Sequence, residues 1–555
     1  MHKSWHLYVS LPLVCRSSLF ELIRHVYLFN FLGKNLPISI YSMNATDHFK
    51  KVISHCKEYG YIFPSSEIYD GLSAVYDYGS YGVELKNNLK TYWWRAMVQM
   101  HENIVGLDSA IFMHPKIWKA SGHVDAFNDP LIDNKDSKKR YRADVLIEEY
   151  LNKLDDKINK EVEKAAKRFG ESFDANMFRS TNPRVAEYAE KRRSVAERYV
   201  RAAETDNLAE LKSIIEDCEI ADPETGSRNW TDVRQFNLMF ATQFGALAGS
   251  ETEDAKVYLR PETAQGIFVN FLNVQKSTRQ KIPFGIAQIG KAFRNEIIAR
   301  QFIFRMREFE QMEMQFFVRP GSEMEWYKHW KETRMAWHRS IFPAAKLRFH
   351  DHEKLAHYAN AALDIEFDFP FGFKELEGIH SRTDFDLGNH QQLSGKKMQY
   401  FDPELNESYV PYVVETSVGV DRLFLAVVSS CLVDEKVPDA KGEDATRTVM
   451  KIPAFLAPIK AAILPLVNKE ELTVEARSIF DRLKMVAQCQ YDAKDAIGRR
   501  YRRQDAIGTP YCITVDFETL EDRCVTVRNR DTLQQERVAI DALPAHLAAL
   551  LAASC

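Results

Sequence analysis

Polar and apolar residues alternate along the stretch from Tyr258 to Arg319, and the alternation predicts two strands joined by an Arg-rich loop. The first strand is the apolar run from Phe284 to Gly290. The second has two unlike faces, with Phe309, Gln311, Glu313 and Gln315 on one and Glu310, Met312, Met314 and Phe316 on the other. A row of carboxylates and amides is unusual on a core strand. Together with the arginines it predicts a site for a small zwitterion and a polyphosphate.

Helical spacing dominates the chain before this stretch. One amphipathic helix is predicted over residues 44–59, and another, rich in aromatic residues, over Val83–Met100. Residues 109–118 are predicted as a strand and residues 121–149 as a polar loop. From about 146 to 228, dense charge at helical spacing predicts an inserted helical subdomain that projects from the main body.

The pattern changes again near Ile452. Ahead of it, a strand over Asp364–Phe369 and a strand–turn–helix unit around Gly419 complete the main body. Behind it, strands and helices alternate over Pro453–Ala553, which predicts a small α/β domain with a largely parallel sheet. The chain is thus divided into an N-terminal extension (1–42), a main domain (43–452) and a C-terminal domain (453–555).

Composition is that of an ordinary globular protein. The 555 residues are 45% hydrophobic and 27% charged, with a net charge of -4. No overall basic field exists, so contacts with nucleic acid must come from local patches. The eight cysteines form no CxxC pair, which disfavours a zinc ribbon or disulfide scaffold and indicates the reducing cytoplasm. The chain has no apolar run of about 18 residues, so no membrane span is predicted.

Residues 1–42 are open to two interpretations. Arg16, Ser17, Ser18 and Arg24, with few acids nearby, fit an amphipathic organelle presequence, but no small-residue cleavage site follows the apolar run. The other interpretation is an upstream extension that is absent from the mature protein, with the folded chain beginning near Met43. We favour the extension.

Three arginines flank the predicted strand pair. Arg294 follows the apolar strand, and Arg305 and Arg307 lie in the loop before the second strand. A guanidinium can bind a carboxylate or phosphate through two parallel hydrogen bonds. The alternative is a surface hairpin with solvated arginines, which does not explain the acids and amides on the returning strand. We therefore favour a binding site.

Other residues near strand ends are candidates for contacting a ligand. Phe309 can stack on a flat base, although an ordinary core aromatic fits the sequence equally well. Glu262, Glu313, Glu415 and Ser417 are candidates for holding an ammonium group, because a buried carboxylate needs a partner. Each alone fits a structural ion pair, and only together do they favour a ligand.

A strand-to-helix turn at Gly419 places Arg422 in the first turn of the following helix, where the helix N-terminus favours anions. The chain contains neither GxxxxGK[ST] nor GxGxxG. ATP would therefore be held by arginines and a metal, without a glycine-rich cradle.

From about Tyr59 to Leu543 the chain resembles the class II aminoacyl-tRNA synthetases, and among them the dimeric glycyl-tRNA synthetases. The first motif region of the class is similar to GLSAVYDYGSYGVELKNNLKTYWW. The second and third motif regions together are similar to three stretches of this chain: YLRPETAQGIF, FRNEI with the loop to REFEQMEMQFF, and VVETSVGVDR. The anticodon-binding domain of the family is similar to IGRRYRRQDAIGTPYCITVDF. The resemblance implies an α+β fold: an antiparallel catalytic sheet flanked by helices, with a helical insertion and a C-terminal α/β anticodon-binding domain.

The resemblance implies a glycine–tRNA ligase that forms glycyl-adenylate and pyrophosphate from glycine and ATP, transfers glycine to the 3′ end of tRNA(Gly), and also makes diadenosine tetraphosphate. It implies catalytic roles for Arg294, Arg307 and Arg422. Arg294 would bind the α-phosphate and the amino-acid carboxylate, and Arg305 or Arg307 would bind the γ-phosphate. Phe309 would stack on adenine, and Arg422 would cover the other side of the nucleotide. The residues implied at the ATP site are Arg294, Asn295, Glu296, Phe304, Arg305, Met306, Arg307, Glu308, Phe309, Glu375, Leu376, Gly419, Val420, Asp421 and Arg422.

The same resemblance implies a glycine site and a homodimer. Glu375 would contact Mg²⁺. The residues implied at the glycine site are Arg142, Glu262, Phe309, Glu310, Gln311, Met312, Glu313, Arg382, Glu415, Thr416, Ser417, Val418 and Gly419. One departure is visible: family members often carry a CPxCG-like tip before the FNLMF segment, whereas here Cys218 stands alone in DCEIADPETGSRNWTD. We therefore predict no structural zinc.

Two basic runs are candidates for contact with nucleic acid. Lys191, Arg192 and Arg193 lie in the predicted insertion, where a solvated helix face is the favoured alternative. Arg499, Arg500, Arg502 and Arg503 could meet phosphates of the anticodon arm, and a solvated helix end fits them nearly as well.

Three hypotheses on function are compatible with the sequence. The favoured one is an active glycine–tRNA ligase. The second is a synthetase-like accessory protein that binds nucleic acid without catalysis, which is expected to lack Arg294, Arg307 or Arg422. All three arginines are present. The third is a ligase for another amino acid.

Overall fold

The computed structural model describes residues 45–170, 173–243, 256–296, 301–352, 355, 359–438 and 444–553. The predicted N-terminal extension (1–42) and the predicted start at Met43 lie outside these ranges. Within them, no helix is both long and apolar enough to cross a membrane.

Helices and strands are numbered separately along the chain. The first part contains α1 (Ala45–Glu58), β1 (Ile62–Pro64), β2 (Tyr76–Tyr78), α2 (Ser80–Trp94), β3 (Ile104–Gly106), α3 (Pro115–Ala120), α4 (His123–Ala126), β4 (Asn128–Asp133), β5 (Arg140–Arg142), α5 (Ala143–Phe169), α6 (Ala175–Thr181), α7 (Pro183–Glu204), α8 (Leu208–Asp217), β6 (Arg234–Asn237), β7 (Ala241–Gln243) and β8 (Lys256–Tyr258).

The second part completes the main body. It contains α9 (Ala264–Thr278), β9 (Phe284–Phe293), β10 (Glu308–Val318), α10 (Glu323–Arg339), β11 (Leu347–Asp351), β12 (Ala361–Phe369), β13 (Gly372–Thr383), α11 (Phe385–Ser394), β14 (Tyr400–Asp402), β15 (Glu407–Tyr409), β16 (Tyr412–Gly419), α12 (Val420–Cys431), β17 (Leu432–Pro438) and β18 (Asp444–Met450). The C-terminal part contains β19 (Ala461–Pro465), α13 (Glu470–Leu483), β20 (Cys489–Tyr491), α14 (Ile497–Ala506), β21 (Tyr511–Val515), α15 (Phe517–Asp522), β22 (Cys524–Asn529), β23 (Gln535–Ala539) and α16 (Leu543–Ala553).

A seven-stranded sheet in the order β11–β12–β13–β16–β10–β9–β3 forms the centre of the molecule. All neighbours are antiparallel except β3 and β9. The predicted two-faced strand is β10, and its apolar face is buried: Met312, Met314 and Phe316 pack into the main hydrophobic core. Helices α2, α10 and α12 contribute Leu89, Trp330 and Phe424 to that core, so they cover this face of the sheet. The opposite, polar face carries the candidate site.

Two segments before the central strands differ from the sequence prediction. Residues 109–118 form no regular strand, because Pro115 occupies the first turn of α3 and the His114 side chain accepts a hydrogen bond from the Lys116 amide at its start. The predicted polar loop over residues 121–149 contains β4 and β5, which pair with β6 in a small antiparallel sheet. Its strands are short and strongly polar, so hydrophobic alternation gave no signal for them.

The charged region folds as helices, as predicted. Helices α5, α7 and α8 bury Ile147, Val195 and Ile214 in a separate hydrophobic cluster. The basic run on α7 is largely paired within the protein: Arg192 lies 2.6 Å from Asp155 and Arg193 lies 2.7 Å from Glu190. These contacts favour the interpretation of a solvated helix face over a nucleic-acid site.

The C-terminal part has a five-stranded sheet in the order β20–β19–β21–β22–β23. The strands β20, β19 and β21 are parallel, but β22 and β23 add an antiparallel hairpin, so the prediction of a largely parallel sheet holds for only one side. The charged hairpin and the apolar strands were predicted individually. Their mixed order follows from the short connection between β22 and β23, which can only join antiparallel neighbours.

The basic run on α14 is split by the helix. Arg500 is buried and donates to the carbonyls of Pro465, Leu466 and Asp492 at 2.7–3.0 Å. Arg503 pairs with Asp492 at 2.8 Å. Arg499 and Arg502 are exposed, and these two guanidinium groups are therefore the ones available to phosphates.

Candidate functional site

The polar face of β10 meets matching side chains on both neighbouring strands. Glu313 stands opposite Ser417 of β16 and opposite Gln288 of β9. Gln315 stands opposite Glu415, and the next strand places His380 opposite Glu415 in turn. Directly opposed side chains on a sheet lie close enough to interact. The sheet thus assembles a row of polar groups from four neighbouring strands.

A pocket opens over one end of this polar face. It is lined by residues of the loop before β10, of β10 itself, and of the β16–α12 junction. These residues are Arg294, Glu296, Ile303, Phe304, Arg305, Met306, Phe309, Gln311, Glu375, Ser417, Gly419, Asp421 and Arg422. Two of the three predicted arginines near the strand pair, Arg294 and Arg305, therefore share one cavity with Arg422.

Arg294 lies between two aromatic rings. Its guanidinium carbon is 5.4 Å from the ring centroid of Phe127 and 5.4 Å from that of Phe309. Its Nε donates to the carbonyl of Pro261 at 3.1 Å. A guanidinium that contacts two rings and is tied at Nε has a restricted orientation, which suits two-point binding of a carboxylate or phosphate.

Arg422 forms the opposite wall. Its guanidinium carbon is 4.4 Å from the ring centroid of Phe304, and Nη1 lies 2.7 Å from Glu375 Oε2. Arg422 holds the pKa of Glu375 below its usual range. Gly419 ends β16 and Val420 begins α12, so Arg422 falls in the first helical turn as predicted.

Five residues predicted at the ATP site do not line this pocket. Leu376 and Val420 are buried in the hydrophobic core. The Glu308 side chain pairs with Lys291, and the Asn295 amide donates to the Leu238 carbonyl. Arg307 donates to the carbonyls of Glu296 and Ser73 at 3.0 and 3.3 Å. Of the two loop arginines, Arg305 lines the pocket and Arg307 does not.

A cluster of buried acids adjoins the pocket. Glu415 accepts hydrogen bonds from Gln315 at 2.6 Å and from Arg382 at 3.1 Å, and it lies 3.0 Å from His380 Nδ1. Arg382 also binds Asp386 through Nε at 2.8 Å. Glu415 and Arg382 are only 4% and 5% exposed, so their charges are held almost out of water and must be paired.

The other two acids of the cluster differ in their protonation. Burial, together with the nearby Glu415 and Glu262, raises the pKa of Glu313 well above its usual range. Burial acts in the same direction on Glu262, but His123 and Arg382 outweigh it and lower the pKa of Glu262 to about 2. Burial and the neighbouring carboxylates thus favour the protonated form of Glu313. Its two oxygens accept hydrogen bonds from Thr263 and Gln315.

The remaining residues predicted at the glycine site make other contacts in the free protein. Met312 and Val418 point into the main core, and Glu310 faces Lys86 and Lys90 on the same side of the sheet. Thr416 is fully buried on that side as well. Arg142 binds Asp129 and Asp144 in the small sheet at 3.0 and 2.6 Å.

Sequence reasoning missed several residues of the cluster. His123 lies 3.4 Å from Glu262, and Gln265 donates to both Glu262 and Asp386. The signal for Asp386 was present, since it follows Arg382 by four residues. His123 gave no such signal, because only the fold brings its short helix against Glu262.

Three family descriptions match the chain in succession. "Glycyl-tRNA synthetase insertion domain 1" matches residues 129–238. "tRNA synthetase class II core domain (G, H, P, S and T)" matches residues 247–431, which include the central strands from β9 to β16. "Anticodon binding domain" matches residues 460–550.

Curated relatives match over nearly the whole chain. The chain is 50% identical to the glycine–tRNA ligase of Chlorobaculum tepidum over 490 residues, which cover 88% of this chain and 97% of that protein. It is 49% identical to the glycine–tRNA ligase of Staphylococcus haemolyticus over 503 residues, covering 90% and 97%. For the glycine–tRNA ligase of Staphylococcus aureus strain JH9 the identity is 47%, with coverage of 89% and 97%.

Proposed function

Because this chain belongs to the glycine–tRNA ligase family, we propose that it joins glycine to tRNA(Gly) at the expense of ATP, in the pocket and acid cluster just described. The α+β fold of a class II core, with an insertion and an anticodon-binding domain, is the one found for the family.

One observation carries the proposal: the ATP pocket and the acid cluster occupy consecutive positions on the same face of β10. Gln311 lines the pocket, Glu313 is next on that face, and Gln315 binds Glu415. Positions two apart on a strand are separated by about 6.5–7 Å. An amino acid whose ammonium group lies among the acids can therefore reach, with its carboxylate, a phosphate in the pocket.

The residues supply positioning and charge, and no protein nucleophile is required. In the first step a carboxylate oxygen of glycine attacks the α-phosphorus, and the bond to the bridging oxygen of pyrophosphate breaks. Arg294 at one end and Arg422 at the other stabilise the negative charge that develops on the phosphoryl oxygens. In the second step a ribose hydroxyl of the tRNA attacks the adenylate carbonyl, and AMP leaves.

Selectivity for glycine must come from exclusion, since glycine has no side chain to bind. An added methylene would contribute only about 1–3 kcal/mol of attraction, so a larger amino acid has to be rejected sterically. Glu313, Gln315 and Glu415 are held in place by hydrogen bonds to one another and to Thr263 and Arg382. A methyl group placed against these polar side chains would remove them from water without offering a hydrogen bond, which costs free energy.

Glu375 fits the role of a magnesium contact. Its side chain is 50% exposed beside the pocket, and Mg²⁺ in nucleotide sites is bound by one or two carboxylates together with phosphates. Among the described residues, no group of three or more His, Cys, Asp or Glu side chains is arranged so that it could hold a metal ion. When bound, Mg²⁺ would supply charge to the triphosphate. Arg422 would then exchange its contact with Glu375 for the nucleotide.

We propose that tRNA(Gly) contacts Arg499 and Arg502, since Arg500 and Arg503 are bound within the C-terminal domain. Loss of two phosphate contacts should weaken tRNA binding and reduce its salt dependence. A homodimer and a cytoplasmic location stay predictions from the family resemblance.

The test of the proposed function is charging of tRNA(Gly) with labelled glycine by the full-length protein. Acid-stable label on the tRNA 3′ end, dependent on ATP, supports a ligase. Binding of tRNA without charging, at protein concentrations that match the tRNA, would favour the accessory-protein hypothesis instead.

Binding of glycine is expected to release a proton. Burial and the neighbouring Glu415 and Glu262 raise the pKa of Glu313 and so favour its neutral form in the free protein, whereas an ammonium group beside it would lower that pKa. Glycine affinity should therefore rise with pH up to the pKa of Glu313 in the free protein. Calorimetry in buffers of different ionisation enthalpy should give a release of up to about one proton per glycine at pH 7.

Glu313→Gln provides the control for this prediction. The amide keeps the shape of the neutral acid but cannot titrate, so its glycine binding should release no proton from this position. Equal proton release by the two proteins would show that another group titrates, and proton uptake by the wild type would contradict the assignment.

A further inference from the structure

A buried lysine joins the two walls of the nucleotide pocket from behind. Lys86 lies on α2 and is 9% exposed. Its Nζ is 3.0 Å from Asp421 Oδ1 and 2.8 Å from Glu310 Oε2. It also sits 4.0 Å from the ring centroid of Tyr78.

Asp421 is fully engaged by the protein, although it borders the pocket. Its Oδ1 accepts hydrogen bonds from the Tyr78 hydroxyl and from Lys86, and its Oδ2 accepts one from the Glu310 amide at 2.8 Å. The side chain is only 4% exposed. Both oxygens are thus committed to the protein, so this carboxylate is not built to contact the nucleotide.

The two acids bound by Lys86 are neighbours of the residues proposed to grip ATP. Asp421 directly precedes Arg422 at the start of α12. Glu310 directly follows Phe309 at the start of β10. The Asp421–Glu310 amide contact fixes the two chain segments to each other, and Lys86 neutralises the carboxylates on both sides of it. A single cation thereby sets the spacing between the Phe309 wall and the Arg422 wall.

We propose that Lys86 is a positioning residue for ATP, acting through Asp421 and Glu310 on Arg422 and Phe309. The proposal rests on the proposed function, because it concerns how that site is held. Without Lys86, two carboxylates remain close together in a buried place, with Tyr78 and Lys90 as their other partners. Repulsion between them would widen the pocket, and a displacement of about 1 Å can cost about 100-fold in rate.

Helix α2 also contacts the C-terminal domain. Asn88 donates to the carbonyls of Leu456 and Ala457 at 3.1 Å, and the Tyr81 hydroxyl accepts from Gln490 at 3.1 Å. The helix that carries Lys86 is therefore fixed from the far side, which makes it a firm support for the pocket.

The test compares Lys86→Met with Lys90→Met. Both substitutions remove a lysine bound to Glu310, but only Lys86 touches Asp421. In glycine-dependent ATP–pyrophosphate exchange, Lys86→Met is expected to lower kcat/KM for ATP by about 10- to 100-fold, with the KM for glycine unchanged. Lys90→Met should alter neither value by more than about twofold. Rates are expressed per folded protein, as judged by thermal unfolding.

A second substitution covers the case in which Lys86→Met does not fold. Tyr78→Phe removes only the hydroxyl bound to Asp421 and should lower kcat/KM for ATP in the same direction, by about 3- to 10-fold. A lower melting temperature with unchanged kinetics per folded molecule would overturn the proposal, as would equal losses for ATP and glycine. Absence of exchange in the wild type would instead contradict the proposed function. Direct calorimetric binding of ATP would then decide on Lys86.

Discussion

Arg294→Ala is expected to reduce ATP–pyrophosphate exchange by at least about 10³-fold while leaving tRNA binding nearly intact. The guanidinium is held between Phe127 and Phe309 and borders both the nucleotide pocket and the polar face of β10. It is thus placed to bind the α-phosphate and the attacking carboxylate together. Removing one such donor typically costs about 10²–10³ in rate, and a donor that also orients both reactants costs more.

The control for this substitution is Arg339→Ala. Arg339 is an exposed arginine at the end of α10, and its loss should leave exchange unchanged. The tRNA affinity of each protein is measured by filter binding at fixed salt. Comparable loss of exchange and of tRNA binding in Arg294→Ala would indicate misfolding, whereas retained exchange would refute the role given to Arg294.

Glu415→Gln is expected to raise the KM for glycine by about 100-fold or more, with the KM for ATP nearly unchanged. Glu415 is a charged member of the acid cluster, and Gln315, His380 and Arg382 all contact it. The substitution removes a negative charge that would bind the ammonium group, and it also removes the charge of one carboxylate that pairs with Arg382. Loss of one partner of a buried, charged hydrogen bond costs about 2–5 kcal/mol.

Ser381→Ala is the matched control. Ser381 lies between His380 and Arg382 on β13, is fully buried, and has an Oγ without a hydrogen-bond partner among the described residues. Its loss should leave the KM for both substrates unchanged. Steady-state exchange over a range of glycine concentrations measures the effect. If Glu415→Gln raised the KM for ATP as strongly as that for glycine, the separation of the two subsites would be wrong.

The two-faced character of β10 could be read from the sequence, because side chains on a strand alternate with a period of two. Glu313 and Gln315 therefore fell on one face, and Met312 and Met314 on the other, as the structure has them. The register with β16 could not be read. Gln315 contacts Glu415, which lies 100 residues further along the chain, and that pairing depends on the register between the two strands.

A run of charged residues predicted a binding surface less well than the alternation of polar and apolar residues predicted a strand. The four arginines from Arg499 to Arg503 formed one basic run in the sequence, yet Arg500 is buried against main-chain carbonyls and Arg503 is paired with Asp492. Helical geometry spreads consecutive residues around the axis, so the run divides among different surroundings. Arg142 was similarly assigned to a loop, because the short strands around it lack apolar alternation.

The most direct test of the account is ATP–pyrophosphate exchange by the full-length protein, without tRNA, in the presence of one amino acid at a time. We expect exchange with glycine and at least about 100-fold lower kcat/KM with alanine, serine and proline, since a side chain would lie against the hydrogen-bonded polar groups of the acid cluster. Exchange with any of these three but not with glycine would contradict it.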